Sequence, residues 1–245
     1  MRLSIIMPVH NERPTLAVAV ERVLKTDLPV DVELVIVDDG SHDGAVEELD
    51  VRDRDDVVIL RHERNRGKGA AVRTGLQHAS GDLATVLDAD LEYDPADYRA
   101  LLEPMLAGEA EVAYGTRSFG SQTAYSFWYV LGNKALAFWA SFLYNSWLSD
   151  IETCYKVAPL EVWRSLDIRS SGFGIEAEVT GKLLKRGYRI FEVPISYKAR
   201  TRAEGKKLEW TDGLAALWIL LRIRLGRRPR PSDGPPGPRS KASSR

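Results

Sequence analysis

Asp88-Ala89-Asp90-Leu91-Glu92 sets three carboxylates at alternating positions directly after an apolar run. In an extended segment such positions face the same side, so all three are expected to converge on one point. Clustered carboxylates repel unless a cation lies among them, and oxygen donors suit a hard divalent ion. Magnesium or manganese held by Asp88, Asp90 and Glu92 would bridge the oxygens of a diphosphate. The plainer alternative is a strand-end Asp followed by an acidic turn ahead of Pro95.

Asp38-Asp39-Gly40-Ser41 closes a second apolar run, Leu34-Val35-Ile36-Val37. Asp39 can accept from the ring N–H and amino group of a base or from ribose hydroxyls, as the acid of other dinucleotide folds does. A loop cap with Gly40 turning the chain is the alternative, and it suits Asp38 and Ser41. Asn65-Arg66-Gly67-Lys68-Gly69 opens a helix; its glycines permit close backbone approach, and helix N–H groups with Lys68 suit phosphate. The spacing is not that of a P-loop, and a tight turn with a solvated Lys is the competing view. A phosphorelay receiver would use the acid pair and Asp88 but has no place for Asp90, Glu92 and the long second half. A haloacid-dehalogenase-type phosphatase would want Thr or Val where Glu92 stands.

These groups need a scaffold. Residues 3–9, 33–37, 57–60, 83–87 and 111–114 read as strands, and 15–25, 68–79 and 97–107 as helices. That rhythm predicts an α/β fold with a mostly parallel central sheet and helices on both faces. Crossover handedness then puts the ligand site at the carboxyl ends of the strands. His10-Asn11-Glu12, Asp38-Asp39 and Asp88-Ala89-Asp90 all fall at such ends, which predicts one acidic cleft. The second half opens with an aromatic-rich run over 124–148, broken at Gly132-Asn133-Lys134. A helix over 176–185, a strand over 189–193 and a helix over 210–225 follow, the last apolar at Leu214, Leu217, Trp218 and Leu221.

The chain of 245 residues is 44% hydrophobic and 28% charged, which supplies a full core and excludes a wholly disordered protein. Thirty-four Lys and Arg nearly balance 35 Asp and Glu, against a general nucleic-acid-binding surface. The division is a domain over 1–226 and a Pro-, Gly- and Ser-rich tail over 227–245, read as disordered, with six basic residues against one acid. Cys154 is the only cysteine, so neither a disulfide framework nor a thiolate zinc cluster is available. No secretory signal or spanning helix is legible. The expectation is a cytoplasmic protein.

Together these segments resemble the family 2 inverting glycosyltransferases, in their polyprenyl-phosphate branch of dolichyl-phosphate mannose or glucose synthases. The resemblance spans about Ser4 to Leu225. It is carried by Met7-Pro8-Val9-His10-Asn11-Glu12, VIVDDGSHDG over 35–44, NRGKGAAVRTG over 65–75, the acids of 88–92, Gly115-Thr116-Arg117, DIETCYK over 150–156, FGIEAE over 173–178 and VPISYKARTRAEGKK over 193–207. It implies a GT-A-type nucleotide-diphospho-sugar fold in which Pro8, His10, Glu12, Val37 and Asp39 hold the nucleoside. Asp88, Ala89 and Asp90 would handle the diphosphate through the metal. Glu92 falls where many mannose synthases carry Gln. Arg117 and Arg200 match phosphate-binding arginines and Lys206 a basic acceptor-loop residue, while Arg202 takes a place more often aromatic.

The resemblance implies metal-dependent transfer of a hexose, from GDP-mannose or UDP-glucose, to a polyprenyl phosphate. A phosphate monoester is already a dianion near neutral pH, so this acceptor needs positioning cations more than a general base. Glu176 lies near the catalytic carboxylate of alcohol-using relatives and is read as positioning the sugar or the loop, with direct chemistry open. The rival readings are a family 2 enzyme with a sugar or cell-wall alcohol acceptor, and a non-catalytic nucleotide or phosphorelay module. Membrane contact follows from a lipid acceptor: the aromatic run and the last helix would lie at the inner membrane surface, helped by the basic tail.

Overall fold

The structure is a computed structural model that describes residues 1–51, 54–118, 127–172, 174–199 and 210–227, together with residue 234. Strand β1 (Arg2–Val9), helix α1 (Leu16–Lys25), β2 (Asp31–Asp38), β3 (Val57–Arg61), α2 (Lys68–His78) and β4 (Leu83–Val86) form the first half. A 3-10 turn (Pro95–Asp97), α3 (Tyr98–Leu106), β5 (Val112–Thr116), α4 (Phe127–Tyr144), β6 (Lys156–Pro159) and α5 (Leu160–Ser165) follow. The order closes with α6 (Ile175–Lys185), β7 (Ile190–Pro194) and α7 (Trp210–Leu225).

The seven strands lie in the order β3-β2-β1-β4-β6-β5-β7. β1 pairs in parallel with β2 and β4, β2 with β3, and β5 with β7. Only β6 runs antiparallel, between β4 and β5. Side chains alternate faces along a strand, so β1 sends Leu3, Ile5, Met7 and Val9 into one core layer and Ile6 into the other. The first layer meets α1, whose buried Leu16, Ala19, Val20 and Val23 form one helical stripe. The second meets α2, α5 and α6. The α/β reading with helices on both faces is what the chain adopts.

Two elements were not expected and one was read wrongly. β6 begins with Lys156, a charge that hides a strand, yet its side chain is almost fully buried and its ammonium is bonded to the Thr153 carbonyl and to Glu176. α5 follows it directly. The break expected at Gly132-Asn133-Lys134 does not occur: α4 runs through it. The polar pair stays helical because Asn133 Nδ2 donates to Asp150 Oδ1 at 3.1 Å and Lys134 Nζ to the Ser149 carbonyl at 3.2 Å.

α4 packs on α7 through Leu136, Ala137, Ala140, Ala216 and Leu220. Trp139 Nε1 and Tyr144 Oη donate to the Leu217 and Leu220 carbonyls, at 3.3 and 2.9 Å. Of the apolar positions read on α7, Leu214 and Trp218 point outward. On α4, Trp128, Leu131, Phe138 and Phe142 are exposed at spacings that put them on one face. Among the described residues no helix is long and apolar enough to cross a membrane. The tail over 227–245 lies outside the described residues except for positions 227 and 234.

Candidate active site

β1, β2 and β4 end side by side, and the chain leaving each tip walls one cleft of about 350 Å³. Pro8, His10 and Glu12 come from the first tip, Asp39 from the second, and Asp88, Ala89, Asp90 and Glu92 from the third. Lys68 enters from the start of α2, Arg117 from just beyond β5 and Glu176 from α6. Val37 does not join them. Its side chain is fully buried beside Ile6 and Val35 under α2. Arg200 and Lys206 lie outside the described residues, as does Arg202.

Asp39 is buried and committed to its own chain. Its Oδ1 accepts from His62 Nδ1 at 2.6 Å and Arg66 N at 2.9 Å, and its Oδ2 from Gly67 N at 2.7 Å. His62 Nδ1 must therefore carry a proton, and its Nε2 pairs with the Thr74 hydroxyl at 2.9 Å. Asp39 thus ties β2 to the loop that opens α2, and His10 Nδ1 donates to its carbonyl at 3.0 Å. Asp38 plays the capping part, its Oδ1 accepting from Ser41 N at 2.9 Å.

The glycine loop makes its close approach to protein. Gly67 has φ +89°, and a Cβ there would lie 2.3 Å from the Ser171 carbonyl oxygen. Gly69 N donates to that same oxygen at 2.7 Å. With the Gly67 amide held by Asp39, the expected backbone cradle for phosphate at the start of α2 is largely occupied. What α2 offers the cleft is the Lys68 ammonium. It lies 2.8 Å from Asp88 Oδ2, 3.2 Å from Glu176 Oε1 and 3.3 Å from Cys154 Sγ. Burial opposes that charge, but Asp88, Cys154 and Glu176 outweigh it and hold the Lys68 pKa well above its usual value. Asp88 is partly buried, which opposes its charge, yet Lys68 and the Cys154 thiol, which donates to Oδ2 at 2.7 Å, keep its pKa low.

The acids of 88–92 reach one cleft by a different geometry from the one expected. The segment is not extended: Leu91 has φ +62°, and Glu92 N donates to Asp90 Oδ1 at 3.0 Å in a tight turn. Tyr197 Oη donates to Glu92 Oε2 at 2.7 Å, which ties Glu92 to the segment after β7. Among the described residues no three acidic, His or Cys side chains stand close enough to hold an ion unaided. Two carboxylates with water and substrate phosphates are what a magnesium-type site uses, and Asp88 and Asp90 fit that donor set in kind.

Arg117 forms a bidentate pair with Asp150, Nε to Oδ2 at 2.7 Å and Nη2 to Oδ1 at 2.9 Å. Its guanidinium lies 4.9 Å from the centre of the Tyr197 ring. Burial alone would raise the Asp150 carboxyl, but Arg117 and Asn133 hold it at about 2. Glu176 has Lys156 Nζ 2.5 Å from Oε2 and Lys68 on Oε1, so both oxygens are engaged. Two further cleft residues, Glu152 and Cys154, were not singled out from sequence. Their signal lay in the DIETCYK segment, where acid and thiol alternate between Asp150 and Lys156.

Residues 4–156 match the model of glycosyl transferase family 2. The chain is similar to the undecaprenyl-phosphate mannosyltransferase of Micrococcus luteus, 30% identical over 92% of this chain and 100% of the relative. It is also similar to the polyprenol monophosphomannose synthase of Mycolicibacterium smegmatis, 30% identical over 81% of this chain and 78% of that one. Among solved structures, glucosyl-3-phosphoglycerate synthase from Mycobacterium tuberculosis, in complex with Mn2+, uridine-diphosphate and phosphoglyceric acid, superposes with a TM-score of 0.69. That match covers 91% of this chain and 78% of the other at 20% identity, a likeness of fold.

Proposed function

The chain belongs to glycosyl transferase family 2, and from that membership we propose that it moves a mannosyl group from a nucleotide-diphosphate sugar to a polyprenyl phosphate, with inversion. The observation that carries this reading is the cleft at the tips of β1, β2 and β4, where carboxylates from three strand ends meet Lys68 and Arg117. His10, Glu12 and the Asp39 tip border the nucleoside end. Asp88 and Asp90 would hold a divalent ion, which when bound supplies positive charge against the departing diphosphate. Lys68 adds a fixed ammonium on the same side.

Arg117 serves the acceptor. Asp150 orients its guanidinium from behind, which spares the fork a search among rotamers and aims it at an incoming phosphate. Arg200 and Lys206 join it in this reading. A phosphate dianion attacks without losing a proton, so no base is required. Glu176 fits that economy, because both its oxygens are spent on Lys156 and Lys68, where it positions Lys68 instead of accepting a proton.

The acceptor's lipid tail calls for a surface. The outward stripes Trp128, Leu131, Phe138 and Phe142 on α4 and Leu214, Trp218 and Leu225 on α7 support docking at a bilayer interface. The test is incubation with manganese, polyprenyl phosphate and radiolabelled GDP-mannose or UDP-glucose. Label from GDP-mannose enters the organic phase if the reading holds. Label that appears only on water-soluble alcohols overturns it.

A further inference from the structure

Glu152 is a cleft residue that the reading above does not use. It lines the cleft, and its Oε1 is buried without a hydrogen-bond partner among the described residues. A buried, unpaired oxygen costs free energy, so its retention at a ligand-facing wall calls for a donor that arrives with the ligand. Its place in the chain says which part of the ligand. Asp150, two residues before it, grips Arg117, and Cys154, two residues after it, donates to Asp88 Oδ2. The segment 150–154 therefore spans the cleft from the acceptor-phosphate side to the donor-diphosphate side. Transfer requires the sugar carbon to lie between those two phosphates, since one bond to it forms as the other breaks.

We propose that Glu152 is the hexose-recognition residue, its Oε1 accepting a hydrogen bond from a ring hydroxyl of the transferred sugar. The assignment rests on the donor and acceptor ends given above. A hydroxyl suits the position because burial and the charge of Glu176 disfavour a further anion beside Glu152, with Lys156 and Arg117 opposing them and Asp150 adding least. A neutral donor fits there where a further anion does not. Burial and Glu176 push the Glu152 carboxyl up to about 7, so near neutrality it both donates and accepts, as a sugar hydroxyl does.

The test is titration calorimetry of the full chain with magnesium chloride, using GDP-mannose, its monodeoxy analogues and GDP as the sugarless control. Glu152→Ala weakens GDP-mannose about tenfold and leaves GDP unchanged. One monodeoxy analogue binds the parent about tenfold more weakly than GDP-mannose, and that difference vanishes in the variant. The isosteric Glu152→Gln keeps an acceptor oxygen, guards against loss of folding, and retains most of the affinity. Parallel weakening of GDP, or a deoxy penalty that persists in Glu152→Ala, overturns the assignment. If the parent binds neither GDP-mannose nor GDP, the donor reading fails first and takes this one with it.

Discussion

Arg117 and Asp150 meet in a two-point pair in which the acid has no solvent exposure. A carboxylate held at about 2 against an ordinary 3.8 adds stability that is complete above about 4 and is lost as the pH falls through about 2. The shift corresponds to about 2 kcal/mol. Asp150→Asn removes that charge, leaves Arg117 buried without a counter-ion, and lowers stability near neutrality by about 3 kcal/mol. Denaturant melts across the acid range check it: the parent weakens between about pH 4 and pH 2, and the variant lacks that segment of its pH dependence. Equal acid profiles for the two proteins would refute the pairing as a source of stability.

Asp88 and Asp90 separate by the same logic. Asp90→Asn keeps the amide-accepting oxygen of the 90–92 turn and removes one charge, so the fold holds while transfer falls about 100-fold or more. Asp88→Asn strips Lys68 of its nearest carboxylate. It costs about 2 kcal/mol of stability in addition to activity, since Glu176 still faces the ammonium. Thermal melts beside organic-phase transfer assays distinguish the two. Equal melting temperatures for the two variants would show that Lys68 does not depend on Asp88.

The sequence made the first half legible because its strands are apolar, β-branched and punctuated by acids, and those acids do line one cleft. It was less reliable wherever a tertiary contact decided the outcome. The alternating face read for 88–92 assumed an extended chain, which the left-handed Leu91 prevents. Lys156 concealed β6, because a buried ammonium is tolerable only with Glu176 in place. Gly132-Asn133 looked like a helix break because their anchor, Asp150, is remote in sequence. Val37 went to the core because α2 packs over it, a contact the resemblance alone could not resolve. Glu152 was invisible for the same reason: an unpaired oxygen is a property of packing.

The outward aromatic stripe yields a prediction about partitioning. Phe138 and Phe142 are 65% and 70% exposed, one helical turn apart. Each ring buried in a lipid interface is worth about 1.5–3 kcal/mol. Phe138→Ser with Phe142→Ser therefore reduces co-sedimentation with anionic vesicles by at least about tenfold, with no loss of melting temperature. Donor binding in solution is unaffected, because neither residue lines the cleft. Unchanged sedimentation at low salt would remove lipid as the occupant of this face.

Glu152 carries a pH signature of its own, independent of any ligand. Burial and the negative field of Glu176 raise its carboxyl from 4.5 to about 7. For an acid raised on folding, the favourable contribution is complete below the unfolded value and disappears as the pH climbs through the folded one. Ionising Glu152 in place therefore costs up to about 3 kcal/mol above about pH 8. Glu152→Gln cannot ionise and escapes that cost, so it matches the parent in denaturant melts near pH 5 and exceeds it near pH 8. The opposite ordering, with the variant weaker at alkaline pH, would mean that the Glu152 carboxylate is held by a cation and that its oxygen is not the open acceptor inferred for the sugar.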